Sequence, residues 1–166
     1  MSTRESVSIR PATPADLAAV RACVEAAYAR YVPRIGRPPG PMLADYARLI
    51  ADGRVHVAEA DGRGARQLGL IVLVDGPDHL HVENVAVAPV AQGRGLGRAL
   101  MAFAEAEARR RGHGEIRLYT HRRMVETPPF YAALGYEETG RGVQDGYDRI
   151  FFRKRLPGTP PPPPAG

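Results

Sequence analysis

The chain has 166 residues, 44% of them hydrophobic, a formal charge of +5 and a single cysteine. That length supports one well-buried core and is short for two domains. No run approaches the roughly 20 apolar residues that span a bilayer, and no apolar stretch follows the charged N-terminus. We therefore expect a cytoplasmic protein without a membrane segment. Cys23, as the single cysteine, excludes an internal disulfide and a cysteine-rich metal site, and we interpret it as a helix-packing residue.

The basic charge, with a pI of about 9.8, is compatible with nucleic acid, a membrane surface or a polyanionic small molecule as the partner. All basic residues except Lys154 are arginines, and the densest runs are 109–111 and 153–155. The first run falls where a helix is expected to end, and cations there complement the helix dipole. Because neither run is interleaved with aromatic residues and no helix-turn-helix or zinc pattern is present, nucleic-acid binding is the weaker alternative.

The N-terminal third predicts a strand at 7–10, a helix from residue 13 to about residue 31, a loop at 34–41 and a second helix at 42–51. Thr13, Pro14 and Asp16 form a helix-start signature of cap, first-turn proline and acidic third residue. Pro33 is expected to stop the first helix. Gly36 and four further glycines and prolines make the following segment a loop.

The remaining chain predicts strands at 55–60 and 68–74 joined by a turn at 61–64, strands at 80–88, 115–120 and 149–153, and helices at 96–111 and 129–134. Alternating or β-branched apolar residues favour the strands, and Gly112 and Gly135 are expected to end the two helices. Residues 157–166 contain five consecutive prolines and are expected to form a disordered tail after a single domain at 1–156.

A strand, a glycine-rich turn and a long helix follow one another directly from Val85 to Ala99. The first amides of a helix and the positive end of its dipole can hold a pyrophosphate, and glycines let the backbone approach it. A Walker loop is excluded because no Gly-Lys pair is followed by Ser or Thr. A dinucleotide fingerprint is excluded because Arg98 stands where the third glycine would be required.

The spacing that does fit is Gln-x-x-Gly-x-Gly at Gln92, Gly95 and Gly97, after a Val-x-Val strand that ends in proline. Together with Tyr-x-x-x-Gly-Tyr at residues 131–136, it resembles the GNAT superfamily of acyl-CoA-dependent N-acyltransferases over about residues 7–156. The resemblance implies an α/β (α+β) fold. Its central mixed, mostly antiparallel sheet of about six to seven strands is flanked by about four helices and splayed between the cofactor strand and the next strand.

The same resemblance implies acetyl-CoA as the co-substrate and no metal. It places the pantetheine arm on the backbone of Val85, Ala86 and Val87. The pyrophosphate is expected on the backbone amides of the turn and the first helical turn, which are those of Gln92, Gly93, Arg94, Gly95, Leu96, Gly97, Arg98 and Ala99. Because backbone groups do most of this binding, substitutions there should matter chiefly at the glycines.

Catalysis on a thioester needs a base for the amine and an acid for the departing thiolate. Glu83 and His81 lie at alternate positions of the cofactor strand, on one face if no bulge intervenes. The resemblance implies Glu83 as the base and His81 as the second candidate, and Tyr131 as the acid. A salt bridge for Glu83 and core packing for Tyr131 remain open. Thr127 stands near the position of an asparagine that contacts the coenzyme in similar proteins.

The resemblance implies that the acceptor pocket lies around Tyr28, Tyr31, Tyr46 and residues 34–41, where Arg34 and Arg37 could attract a carboxylate. The acceptor is expected to be a small molecule, an amino acid derivative or a peptide N-terminus that carries a primary amine. A non-catalytic acyl-CoA sensor on the same fold is the alternative. Homodimers are frequent among similar proteins, although no residue here demonstrates one.

Overall fold

The computed structural model describes residues 7–60 and 66–158. Within them lie seven strands and five α-helices. The strands are β1 Val7–Pro11, β2 Val55–Ala60, β3 Arg66–Asp75, β4 Leu80–Val87, β5 Glu115–His121, β6 Glu137–Gln144 and β7 Tyr147–Arg155. The helices are α1 Leu17–Tyr28, α2 Tyr31–Ile35, α3 Tyr46–Ala51, α4 Leu96–Arg110 and α5 Thr127–Ala133. None of these helices has the length and hydrophobicity needed to cross a membrane.

The strands follow the order β1-β2-β3-β4-β5-β7-β6 in one sheet. The ladders β1–β2, β2–β3, β5–β7 and β6–β7 are antiparallel, whereas β4 and β5 run parallel. The parallel ladder pairs residues 80–82 with residues 116–118. The predicted mixed, mostly antiparallel sheet is confirmed.

The described residues form two compact units, one from Met1–Val72 and Asn84–Met101 and the other from Leu73–Glu83 and Ala102–Gly166. The core of the first unit joins α1 and α3 to strands β2, β3 and β4. Its fully buried members include Val20, Val55, Val57, Leu70 and Val72. Cys23 belongs to this core, and burial raises the pKa of its thiol to about 11, in keeping with the predicted packing role.

The second unit has its own buried residues on β5, β7 and the C-terminal part of α4. Ile116 and Leu118 alternate with more exposed residues along β5, and Ala104 and Ala108 are fully buried on α4. The arginines at the end of α4 bind carboxylates. Arg110 and Arg111 both donate to Glu107, and Arg111 also contacts Asp75 at 3.2 Å. The structural interpretation of this basic run is therefore supported.

The first helix starts as predicted and ends earlier than predicted. Asp16 accepts hydrogen bonds from the backbone amide and the hydroxyl of Thr13, and a 3-10 turn at Pro14–Asp16 leads into α1. The helix ends at Tyr28, and residues 31–35 form the separate helix α2. Pro33 lies inside α2 because a proline in the first turn of a helix removes an amide that has no intrahelical acceptor.

Three other predicted boundaries need correction. The helix expected at 42–51 divides into a 3-10 turn at Gly40–Leu43 and α3, which begins after Asp45 because its carboxylate accepts the amide of Arg48. The helix expected at 129–134 begins two residues earlier, at Thr127, and Arg34 and Ile35 of the expected loop belong to α2. The hairpin turn 61–64 and most of the tail 157–166 fall outside the described residues.

The structure also contains a strand that the sequence patterns did not predict. Strand β6 pairs with β7 through a two-residue turn in which Asp145 and Gly146 have φ values of 53° and 79°. Two left-handed residues are what a tight hairpin of this kind requires. All eight residues of β6 are exposed, so it carries no apolar alternation.

Candidate functional site

Residues 92–99, here called the phosphate cradle, join β4 to α4 in the first unit. The first intrahelical hydrogen bond of α4 runs from the amide of Ala99 to the carbonyl of Gly95 at 3.0 Å. The amides of Leu96, Gly97 and Arg98 therefore precede the helical ladder, at the positive end of a 15-residue helix. The local chemistry suits an anion.

The conformations of Gly93 and Gly95, and the space around them, indicate whether a phosphate group fits against this backbone. Both adopt left-handed conformations, with φ values of 80° and 79°, and a Cβ atom built on either glycine would meet no atom within 4 Å. The backbone is therefore open on this side and held in a conformation that glycine favours. At these two glycines, therefore, no atom of the described residues obstructs the approach of a phosphate group.

Two carbonyls of β4 next to the cradle accept hydrogen bonds from side chains. The hydroxyl of Tyr28 donates to the carbonyl of Val85 at 3.0 Å, and the side-chain Nε2 of Gln92 donates to the carbonyl of Val87 at 3.1 Å. These are two of the three residues whose backbone is predicted to pair with the pantetheine arm. Gln92 thus has a positioning contact that links the cradle to the strand.

The packing behind the cradle depends on Gly69 of β3. A Cβ atom at this position would lie 2.7 Å from the carbonyl oxygen of Ala86 and 3.3 Å from Leu96. The glycine therefore permits the close approach of β3 to β4 and to the first turn of α4. Neither composition nor alternation distinguishes Gly69 from other strand glycines.

Asn84 is a buried polar residue of β4, 5% exposed, and two tyrosines meet on it. Its side-chain oxygen accepts a hydrogen bond from Tyr28, and its side-chain nitrogen donates to Tyr46 at 3.0 Å. The hydroxyl of Tyr46 in turn donates to the carbonyl of Pro41. The structure thus brings together two of the predicted acceptor residues through a residue that the sequence did not single out.

Of the other predicted acceptor residues, Tyr31 lies beside Tyr28 and Arg34. Its ring lies 6.1 Å from the ring of Tyr28, and the guanidinium of Arg34 lies 5.3 Å above it. Arg34 and Arg37 are both exposed.

His81 and Glu83 are brought together on β4, in the second unit. Burial alternates regularly along this strand, and His81 Nε2 lies 3.6 Å from Glu83 Oε2. The predicted arrangement of both side chains on one face is therefore confirmed. Burial, more than the opposing effect of Glu83, lowers the pKa of His81 below 6.5. Burial thus favours the neutral imidazole, the form that can accept a proton.

A cavity of about 550 Å³, here called the polar cavity, lies in the second unit. Its walls come from β5, β6, β7 and the β4 segment with the turn before it. They carry acidic, basic and aromatic side chains, including His81, Glu83, Arg117, Tyr119, Asp145, Phe151 and Arg153. Arg117 and Arg153 are paired with Glu115 and Glu137 at 2.6 and 2.7 Å. The neighbour of Glu83 is the His81 imidazole, whose neutral form is favoured by burial.

Tyr119 lies at the centre of the interactions around the polar cavity. Its ring is 5.3 Å from that of His81 and 6.2 Å from that of Phe151, and the guanidinium of Arg149 lies 3.9 Å above it. Burial and the nearby charge of Glu83 raise the pKa of the Tyr119 hydroxyl. Sequence reasoning missed this residue, although alternation along β5 places it on the same face as Arg117 and His121.

Tyr131 lies on α5, also in the second unit, and is 8% exposed. Its ring contacts Tyr136 and Phe152, with centroids 5.7 and 5.8 Å away. Phe152 also lines the polar cavity. Thr127, the first residue of α5, donates its hydroxyl to the carbonyl of Met124 at 2.9 Å. Core packing and a role for the Tyr131 hydroxyl are both consistent with this position.

Among residues 7–60 and 66–158, no group of three or more histidine, cysteine, aspartate or glutamate side chains is arranged to hold a metal ion.

Comparisons with known proteins identify the family. Residues 51–138 match the family described as Acetyltransferase (GNAT) domain. N-alpha-acetyltransferase 80 of Mus musculus is 46% identical over 84 residues, which are 51% of this chain and 24% of that protein. The aligned region thus spans about a quarter of that relative.

Two solved structures share the fold. A GNAT-family protein from Desulfovibrio desulfuricans superposes with a TM-score of 0.70 at 25% identity, covering 90% of this chain and 99% of its own. The protein yncA of Salmonella typhimurium, solved with its cofactor acetyl-CoA, gives a TM-score of 0.69 at 22% identity, covering 96% of this chain and 99% of its own. The family match extends over more than half of the sequence and includes the cradle, and this chain therefore belongs to the GNAT family of acetyltransferases.

Proposed function

We propose that this chain is an N-acetyltransferase that moves an acetyl group from acetyl-CoA to a primary amine by direct attack in a ternary complex. One observation carries the proposal. In a chain of the GNAT family, the glycine turn after β4 is open at Gly93 and Gly95 and leads into the N-terminus of α4. A pyrophosphate bound there would be held by backbone amides and by the helix dipole.

The amine must lose a proton before it can attack. An alkyl ammonium has a pKa near ~10, so most of the acceptor is protonated at neutral pH. Glu83 is 44% exposed in its side chain and borders the polar cavity, where it can hold the ammonium and accept its proton directly or through water. His81, 3.6 Å away and neutral, is the second candidate for this role.

The departing thiolate needs a proton and the thioester carbonyl needs a hydrogen-bond donor. Acetyl-CoA supplies the activated acetyl group. Tyr131 is the side chain we assign to return the proton, as the resemblance of 131–136 implies, and a backbone amide near Val85 is assigned to polarise the carbonyl. Thr127 could contact the coenzyme through its remaining acceptor capacity, because its proton is donated to Met124.

The acceptor is a small molecule, an amino acid derivative or a peptide N-terminus. We assign the polar cavity to it because the cavity combines a carboxylate with aromatic rings, which together suit a protonated amine. The mouse relative is called an N-alpha-acetyltransferase, a name that is consistent with a peptide N-terminus as the acceptor, and the aligned region covers about a quarter of that protein.

Calorimetric titration with acetyl-CoA and with desulfo-CoA tests the proposal. Gly95→Glu should weaken binding by about 100-fold or more, equivalent to about 2.7 kcal/mol, because its carboxylate would occupy the pyrophosphate position. Gly112→Glu is the matched control. Gly112 follows α4, has a φ of 80° and has no atom within 4 Å of a built Cβ, so this variant carries the same backbone strain and the same charge. Its affinity should equal that of the wild type.

Thiol release in a screen of amines then separates enzyme from sensor. Turnover with any amine class supports the transferase, whereas binding without turnover across the screen supports the acyl-CoA sensor. A folded wild-type protein that binds neither coenzyme would overturn both.

A further inference from the structure

Hydroxyl and amide groups connect the strand predicted to bind pantetheine with the turn before α3; those of Asn84 and Tyr46 are buried and that of Tyr28 is half-buried. We propose that Tyr28, Asn84 and Tyr46 form a hydrogen-bond relay. Through this relay, binding of the pantetheine arm to β4 increases the order of the turn Gly40–Leu43. The inference rests on the proposed function, because it requires the pantetheine arm to pair with Val85.

The direction of the relay is fixed by its last member. Pro41 offers a carbonyl, which can only accept, so the hydroxyl of Tyr46 is the donor in that contact. Tyr46 can then accept from Asn84, which places the side-chain nitrogen of Asn84 toward Tyr46 at 3.0 Å. The side-chain oxygen of Asn84 consequently faces Tyr28 and must be satisfied by the Tyr28 hydroxyl.

The first member of the relay has two acceptors for one proton. The Tyr28 hydroxyl contacts both the side-chain oxygen of Asn84 and the carbonyl of Val85, the latter at 3.0 Å. One hydroxyl proton cannot serve both acceptors at full strength. A coenzyme amide that donates to Val85 would compete with Tyr28 for this carbonyl and shift the Tyr28 proton toward Asn84.

A stronger hydrogen bond from Tyr28 to Asn84 should also strengthen the bond from Tyr46 to Pro41, because hydrogen-bonded groups in a chain polarise one another. Asn84 is 5% exposed and Tyr46 is 3% exposed, so water offers little competition. A stronger bond at one end of a buried chain strengthens the next bonds along it. The turn Gly40–Leu43 should therefore become more ordered when β4 is occupied.

Hydrogen exchange of the amides of Met42, Leu43, Ala44 and Asp45 tests the relay. Coenzyme A should slow their exchange about 2- to 10-fold, the range expected for one strengthened hydrogen bond. The probe 3′-phospho-ADP retains the pyrophosphate of coenzyme A and lacks its pantetheine arm. It should bind the cradle and leave this exchange unchanged, a difference that a general stabilisation of the fold would not produce.

Tyr46→Phe should bind coenzyme A and lose the slowed exchange, because it removes the link to Pro41. Tyr28→Phe, which breaks the first link, should do the same and serves if the buried Tyr46 position does not tolerate the change. Tyr31→Phe is the control, since its ring lies beside Tyr28 and outside the relay, and it should respond like the wild type.

Three results would contradict the relay. The first is unchanged amide exchange in the wild type when coenzyme A is bound. The second is an equal response to 3′-phospho-ADP, and the third is an intact response in Tyr46→Phe. Each of these would overturn the relay and leave the proposed function standing. Absence of coenzyme A binding to the folded wild type would overturn the proposed function and the relay with it.

Discussion

The phosphate cradle and the polar cavity differ in what they are made of. The cradle presents backbone amides, and its requirements are glycines at positive φ and a helix N-terminus. The cavity presents side chains from four strands, among them Glu83, Tyr119 and Phe151. A backbone site depends on a few local residues, whereas a side-chain site depends on which strands lie beside each other. We therefore expect the backbone site to be recognisable from a short stretch of sequence and the side-chain site to be recognisable only from the fold.

Among variants that separate the role of the cavity from that of the cradle, Glu83→Gln is expected to have the largest effect. Removal of the base should lower kcat by about 100-fold or more, the usual range for general base catalysis, while the affinity for acetyl-CoA is retained. Steady-state kinetics and calorimetry measure the two quantities. Glu138→Gln is the control, because Glu138 is exposed and pairs with Arg141 on β6. Equal kcat in the wild type and in Glu83→Gln would leave Glu83 without a catalytic role.

A smaller loss is expected for Tyr131→Phe. Loss of the assigned acid should reduce kcat by about 10- to 100-fold with little change in stability, because the ring contacts are kept. Tyr136→Phe offers a close comparison, since its ring lies 5.7 Å from that of Tyr131 and its buried hydroxyl has no hydrogen-bond partner among the described residues. That variant should keep its activity and gain stability. If both variants had wild-type kcat, core packing would be the whole role of Tyr131.

Gly69→Ala tests the packing behind the cradle. The added methyl group would lie 2.7 Å from the carbonyl oxygen of Ala86, so β4 must shift. We expect a loss of about 1–3 kcal/mol in the free energy of unfolding, together with weaker acetyl-CoA binding. Urea denaturation and calorimetry measure these. Gly140→Ala, where a Cβ meets nothing within 4 Å, should leave both quantities nearly unchanged, and a similar loss in the two variants would contradict the packing argument.

The smallest expected effect is the contribution of His81, which lines the polar cavity, to the pH dependence of the free energy of unfolding. Because the folded state holds the pKa of His81 below 6.5, the unfolded chain binds a proton there more readily. The free energy of unfolding should therefore decrease as the pH falls below about 6.5, and His81→Gln should show a smaller decrease. Urea denaturation at pH 7.5 and 5.5 compares the two. The same pH dependence in both proteins would exclude His81 as its source.

The cradle could be predicted from the sequence because its signals are local. Strand β4, the glycine turn and α4 were placed within one residue of their observed ends, since each boundary depends on residues next to it. The pairing of His81 with Glu83 was also predictable, because alternation along a single strand decides it.

The remaining features depend on distant partners or on weak patterns. In the sequence, Asn84 resembles any polar strand residue. Its role becomes visible only in the fold, because its partners Tyr28 and Tyr46 lie 56 and 38 positions away. Strand β6 lacks apolar alternation because all its residues are exposed, although Asp145-Gly146 is a strong hairpin signal that could have identified it. Pro33 was interpreted as a helix stop when it lies in the first turn of a new helix.

Strand β6 has a consequence for how the protein behaves at high concentration. It is the last strand of the sheet, and an exposed edge is a template for pairing with another chain. Two glutamates and an arginine occupy this strand, and its register shifts between Glu138 and Gly140. Charge and irregularity of this kind oppose continuous sheet formation between molecules, even though Val143 is 72% exposed. Any self-association of this chain is therefore expected to use another surface, and the edge itself should favour solubility.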